Sequence, residues 1–211
     1  MISEAELVSK VRTLLNEPAT DSSVSLITDD TLQLDNHITA LLPEAVLLVQ
    51  MNRQQGVVNG KSMNHATIAP NGSGSGTVAL PDDYVRLVFI KLGEWKRGVT
   101  DCYHQGSLGE ALQCNKYMRA GSSSPVAIEG VDASNNLRLT LYPVNDSDLP
   151  GVEQLSYEAR YNASTGLNCN DERLIKAVAY QCAALLCNVY EKYDAANVFQ
   201  GVASALCNNS K

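Results

Sequence analysis

The sequence predicts an α+β fold, a helical body with a long C-terminal helix and an inserted antiparallel β-meander of sandwich-like character. Three observations predict it. Apolar residues recur at helical spacing near both ends of the 211-residue chain. Between them the period shortens to two, in short runs separated by Gly, Asn, Asp and Pro. The last forty residues contain no proline at all, so a helix there meets no obligatory break.

At the N-terminus, Ser3 and Glu6 have the spacing of a capping box, and Leu7, Val11, Leu14 and Leu15 follow on one face. This predicts a first helix over 4–16, closed by Pro18. Thr20–Ser25 reads as a polar loop. Thr28, Asp29 and Asp30 offer caps for a second helix carrying Leu32, Ile38, Leu41 and Leu42. Pro43 fits the first turn of a new helix, or a kink, before Ala45, Val46, Leu48, Val49 and Met51; Gly56 and Gly60 end it.

The β-region starts near Val57. Thr67–Ala69 and Thr77–Leu80 read as strands joined by the glycine–serine run from Asn71 to Gly76, which makes Gly72, Ser73 and Gly74 the tip of a hairpin. A phosphate-cradling loop needs a helix directly after it, and the stretch from Thr77 to Pro81 does not begin one. Asp82 and Asp83 follow Pro81 as turn residues. A long run from Val85 ends at Trp95, a short helix is expected over 108–115, and three more strands over 125–129, 137–142 and 155–161, with Trp95 and Tyr142 placed in the sheet. The parts are therefore 1–56 helical, 57–168 β-rich, and 169–211 a returning helix.

In that last part Ile175, Val178, Cys182, Leu185, Val189 and Tyr193 fall on one stripe, capped by Asn170 or Asp171. Unbroken, roughly 35 residues would span about 50 Å; a break near Asp194 or Gly201 would give two helices. Alanines crowd the stripe. Two readings stand: a central core helix, or a helix packed partly against copies of itself. The packing residues are Val178, Cys182, Leu185, Val189 and Tyr193, in core or subunit seam. Glu191, Lys192 and Asp194 form an exposed face, solvated or at a subunit contact.

Composition narrows the function. Hydrophobic content of 45% fits a globular protein, and the longest apolar run, Ala45–Val49, is too short for a membrane span. Glutamates at the N-terminus stand where a signal peptide would carry lysines. The net charge of −7 argues against gripping nucleic acid by its phosphates. None of the six cysteines forms a C-x-x-C pair, so free thiols in a reducing compartment are expected. Cys102, His104 and Cys114 lack the fourth ligand and the spacing of a zinc site, and His37 and His65 read as a helix and a loop histidine. No metal, cofactor or catalytic motif is predicted. Asp101, Cys102 and His104 are the residues around which a motif-free enzyme site would be sought.

Three groups of residues carry a family resemblance. Leu80-Pro-Asp-Asp-Tyr-Val-Arg-Leu87 runs on to Trp95-Lys-Arg97. Tyr117-Met-Arg-Ala120 leads through Pro125 to Leu137-Arg-Leu-Thr-Leu-Tyr-Pro143 and Leu155-Ser-Tyr-Glu-Ala-Arg-Tyr161. Leu174-Ile-Lys-Ala-Val-Ala-Tyr-Gln-Cys-Ala-Ala184 leads to Tyr193-Asp-Ala-Ala196. In this order they resemble the head-to-tail connector proteins of short-tailed bacteriophages, the adaptor, neck or tail-tube rings, above all those of crAss-like phages. The Gly-Ser tip and the cysteine content depart from that pattern. The resemblance implies a virion structural protein and not an enzyme, assembled in the host cytoplasm. It implies a homo-oligomeric ring of about twelve copies, with portal protein and neighbouring tail or ring proteins as partners, and genomic DNA passing through the lumen without specific binding. Gly72, Ser73 and Gly74 would then dock the tail. A tail-completion or stopper protein is the alternative within the same class.

Overall fold

The computed structural model describes residues 1–15, 29–54, 56–72, 74–115, 117–145, 148–149 and 151–208, with only the backbone at 29–33. The fold is α+β. Two units make it up, Met1–Asn59 with Arg160–Lys211, and Gly60–Ala159. The insertion is thus bounded at 60 and 159 rather than at 57 and 168. Residues 160–169 side with the helices because Ile2 and Leu167 exchange backbone hydrogen bonds of 3.0 and 2.9 Å, while buried Asn59 donates to Asn168 and, through its side chain, to Arg160.

In the first unit, helix α1 (Glu4–Leu14) opens on the capping box: the Ser3 hydroxyl accepts from the Glu6 N–H, and the Glu6 carboxylate accepts from the Ser3 N–H at 2.9 Å. Leu7 and Val11 are its buried face. Helix α2 (Asp29–Asn52) is continuous through Pro43. It buries Ile38, Leu42, Ala45, Val46 and Val49, a single stripe running across the proline. Pro43 therefore neither starts a helix nor ends one. The Arg12 guanidinium, itself buried, ties α1 to α2 by a 2.6 Å bond to Asp35. The polar loop expected over Thr20–Ser25 lies outside the described residues.

The C-terminal region is two helices, α4 (Glu172–Val189) and α5 (Tyr193–Asn208). The chain turns at 190–192 by a left-handed cap: Glu191 takes φ of 58°, its N–H donates to Asn188 O, and the Lys192 N–H donates to Cys187 O at 2.8 Å. α4 is the central helix. It packs against α1, α2 and α5 and buries Leu174, Ala177, Val178, Cys182, Ala183 and Leu186 among others. Its alanines face this core, so the core-helix reading accounts for them.

Among the described residues the second unit holds eight strands: β1 (Gly60–Ser62), β2 (Ala69–Gly72), β3 (Ser75–Ala79), β4 (Tyr84–Lys91), β5 (Tyr103–His104), β6 (Val126–Val131), β7 (Leu137–Tyr142) and β8 (Gln154–Ala159), with helix α3 (Leu108–Gln113) after β5. They form two sheets, β1-β8-β4 and β2-β3-β7-β6-β5. Pairing is antiparallel except between β5 and β6. This is not a simple meander, since β3 lies beside β7 and β4 beside β8. One core serves both sheets, with Val78, Leu139 and Leu141 from one and Leu87, Ile90 and Leu155 from the other. Trp95 is buried in a turn after β4, not in a strand, and its indole N–H donates to Pro143 O at 2.7 Å.

Candidate functional site

The residues expected to pack split into two groups. Val178 and Cys182 are fully buried, and Leu185 is partly buried against the same core. Val189 and Tyr193 are 57% and 61% exposed. They flank the turn, where the chain reverses and the stripe loses its inward face. Glu191 and Lys192 lie in that turn rather than on a helix, exposed beside Asp194. Tyr190 is held there by His37, whose Nδ1 is 3.0 Å from the phenol oxygen.

The outer face of α5 has an unusual make-up. Asn197, Val198, Gly201, Ser204 and Ala205 are all exposed on one side of the helix, and Asp194 is the only charged residue in the whole helix. Among the described residues, nothing beyond its own helix backbone lies within 4 Å of where a Cβ at Gly201 would stand. Glycine in a helix interior costs up to about 1 kcal/mol against alanine, and no contact among the described residues requires it.

A second apolar surface lies on the β-unit. α3 sits against Tyr103, where a Cβ at Gly109 would strike the Tyr103 ring. This turns Leu108 and Leu112, one helical turn apart, outward. Buried Gln113 folds the following loop back: its amide oxygen accepts from the Ala120 N–H at 2.8 Å, and Arg119 donates to its carbonyl. That loop presents Tyr117, 92% exposed, and Met118. Among the described residues, fourteen large apolar side chains are exposed; five fall between Tyr103 and Met118 and four between Val189 and Val198. Exposed apolar surface gathered in this way marks interaction sites. The break before Tyr193 lies beside Asp194, one of the two places where a break was expected, whereas the 117–118 loop was not legible as a surface from periodicity.

The residues that an enzyme reading would use do not assemble. Cys102 donates to the Glu129 carboxylate at 3.4 Å, and the same oxygen accepts from the buried Tyr84 phenol at 3.2 Å. Burial, then the Glu129 charge, push the Cys102 thiol up to about 12 and the Tyr84 phenol above its ordinary range. A protonated thiol is a poor nucleophile. His104 and Asp101 are exposed, and no hydrogen bond joins either to Cys102 among the described residues. A cavity of about 350 Å³ beside them is lined by Arg97, Thr100, Asp101, Cys102, Tyr103 and Ser124, in part. Among the described residues no three His, Cys, Asp or Glu side chains are grouped to hold a metal. All six cysteines are free. Asp83 is a turn residue braced by Lys61 at 2.5 Å and by the Tyr157 phenol at 3.1 Å. Gly72 and Gly74 take φ of 71° and 72° at the hairpin tip; Ser73 lies outside the described residues. Among the described residues no helix is long and apolar enough to cross a membrane.

No protein-family model matches this chain, and no curated protein matches it at a significant level.

Proposed function

We propose that this chain is a virion structural protein, a subunit of an oligomeric ring in the connector between the portal and the tail of a short-tailed bacteriophage. The observation that carries the reading is the outer face of α5: exposed, free of charge beyond Asp194, and opened at Gly201 for close approach by another backbone. A solvated helix face is ordinarily charged. A face built this way suits contact with a neighbouring protein, and in a ring that neighbour is a second copy. The β-unit, with its hairpin at Gly72 and Gly74, is the part that meets the next tail component. Genomic DNA passes the acidic subunits without being held, since a net charge of −7 offers its phosphates no attraction.

The test is the assembly state of the purified protein, alone and mixed with the portal protein of the same genome, by native mass spectrometry and negative-stain imaging. Closed rings of about twelve copies are expected in the mixture. Monomers in both samples, or absence of the protein from purified phage particles, would overturn the reading.

A further inference from the structure

The dipeptide Asn-Gly occurs twice in the chain, at Asn59–Gly60 and at Asn71–Gly72. Asparagine is chemically least durable in that pair. The backbone nitrogen of the next residue attacks the side-chain amide carbon, and a glycine leaves that approach unhindered. Both glycines end an edge strand, Gly60 at the start of β1 and Gly72 at the close of β2.

The two asparagines stand in opposite surroundings. Asn59 is buried; its side-chain amide donates to Arg160 O at 2.8 Å and its backbone N–H to Asn168 O at 2.9 Å. Asn71 is exposed, and the hairpin register passes over it. Pro70 pairs with Gly76 and Gly72 with Ser75, so Asn71 is the extra residue of a bulge. Its carboxamide oxygen accepts a long bond from Thr77 Oγ1 at 3.4 Å, and that hydroxyl is shared with Ala69 O at 3.4 Å. Among the described residues, nothing lies within 4 Å of where a Cβ at Gly72 would stand.

We infer that Asn71 is a site of spontaneous deamidation and isomerisation, from which the fold protects Asn59. This stands on the hairpin alone and is independent of the ring reading. The Gly72 nitrogen gives its proton to solvent base and bonds to Asn71 Cγ; the carboxamide C–N bond breaks, and ammonia leaves behind a cyclic imide. Water opens the imide at either carbonyl, giving aspartate or isoaspartate. Both products place a new carboxylate beside the hairpin tip. Isoaspartate also inserts a methylene into the main chain between residues 71 and 72, so the Pro70–Gly76 and Gly72–Ser75 pairs cannot both be kept.

The full chain is held at mildly alkaline pH, sampled over time and mapped by proteolytic digestion and mass spectrometry, with isoaspartate counted by isoaspartyl methyltransferase. Asn71 should lose its amide at least about tenfold faster than Asn59, the rate equivalent of the hydrogen bonds that Asn59 must break. The loss should quicken with hydroxide. In concentrated urea the two rates should converge, because the fold is what separates them. Asn71→Gln, which closes a larger ring far more slowly, should silence the hairpin and leave the melting temperature unchanged. Equal durability of Asn71 and Asn59 in the folded chain would overturn the inference. So would a rate ratio that persists in urea, or aspartate formed without isoaspartate, which marks direct hydrolysis. None of these outcomes depends on assembly, so the ring reading stands or fails separately.

Discussion

Each unit has its own core, and the two cores are packed differently. The helical unit is aliphatic, and on α4 Ala177, Ala179, Ala183 and Cys182 let the helix lie close to its neighbours; among the described residues Tyr161 is the one buried aromatic in that core. The β-unit is filled by large side chains with polar handles: Trp95 bonded to Pro143, Tyr84 to Glu129 and Tyr157 to Asp83. Where small residues set the spacing, enlargement is the damaging change. Where large rings fill the space, their truncation removes the most volume, and each polar handle adds a dependence on its partner.

The sharpest way to break this contrast is at Trp95. Trp95→Ala should destabilise the protein by about 3–5 kcal/mol, since it empties the largest fully buried side chain and strands the Pro143 carbonyl. Urea unfolding reads this as a lower midpoint at unchanged slope. In the helical unit the damaging change is addition. Ala183→Leu, at a position with no exposure, is expected to cost about 1–3 kcal/mol by the same measurement. Were Ala183→Leu neutral, α4 would not be closely packed.

A smaller effect separates the polar handles from bulk packing. Tyr84→Phe keeps the ring and removes one donor from the Glu129 carboxylate, a loss of about 1 kcal/mol at pH 7. The sign of its pH dependence follows from the raised phenol. The folded chain holds the Tyr84 proton above the ordinary value of 10, where the unfolded chain releases it, so this contribution is full below pH 10 and is lost as pH rises beyond. The gap between wild type and Tyr84→Phe should therefore narrow above pH 10. Cys102 adds to the alkaline loss, between its ordinary value of 9 and about 12.

Much of the fold was legible because local chemistry specified it. The capping box at Ser3 and Glu6, the alternation over 137–142 and the Asp132-to-Asn136 turn all act over a few residues. What escaped was set by distant partners or by an unmarked residue. The break at 190–192 falls beside Asp194, one of the two places where a break was expected, but its form was unmarked: it has no glycine or proline, Glu191 takes the left-handed position, and the four-residue step from Val189 to Tyr193 continues the stripe across it. Strands β1 and β5 are three and two residues long and exist only through their pairing with β8 and β6. The Glu129 cluster draws Tyr84 from 45 residues away and Cys102 from 27, so no local motif announces it. In the same way, Val189 and Tyr193 share a stripe with the core yet turn out to solvent. The small residues of α4 and α5 were visible as a class, but only the structure divides buried Ala183 and Ala203 from exposed Gly201 and Ala205.

The smallest expected effect is the most discriminating, because it separates folding from assembly. Gly201 lies inside α5 with ordinary helical dihedrals and open space where a Cβ would stand. Gly201→Ala should raise subunit stability by about 0.5–1 kcal/mol, since alanine loses less backbone freedom in a helix interior. If the α5 face meets a neighbour closely, the added methyl group intrudes on that contact, and self-association should weaken while the melting temperature rises. Calorimetry on the dilute subunit and native mass spectrometry on the concentrated protein read the two separately. Stability and assembly rising together would mean that the glycine serves no interface, and the α5 face would lose its claim to the seam.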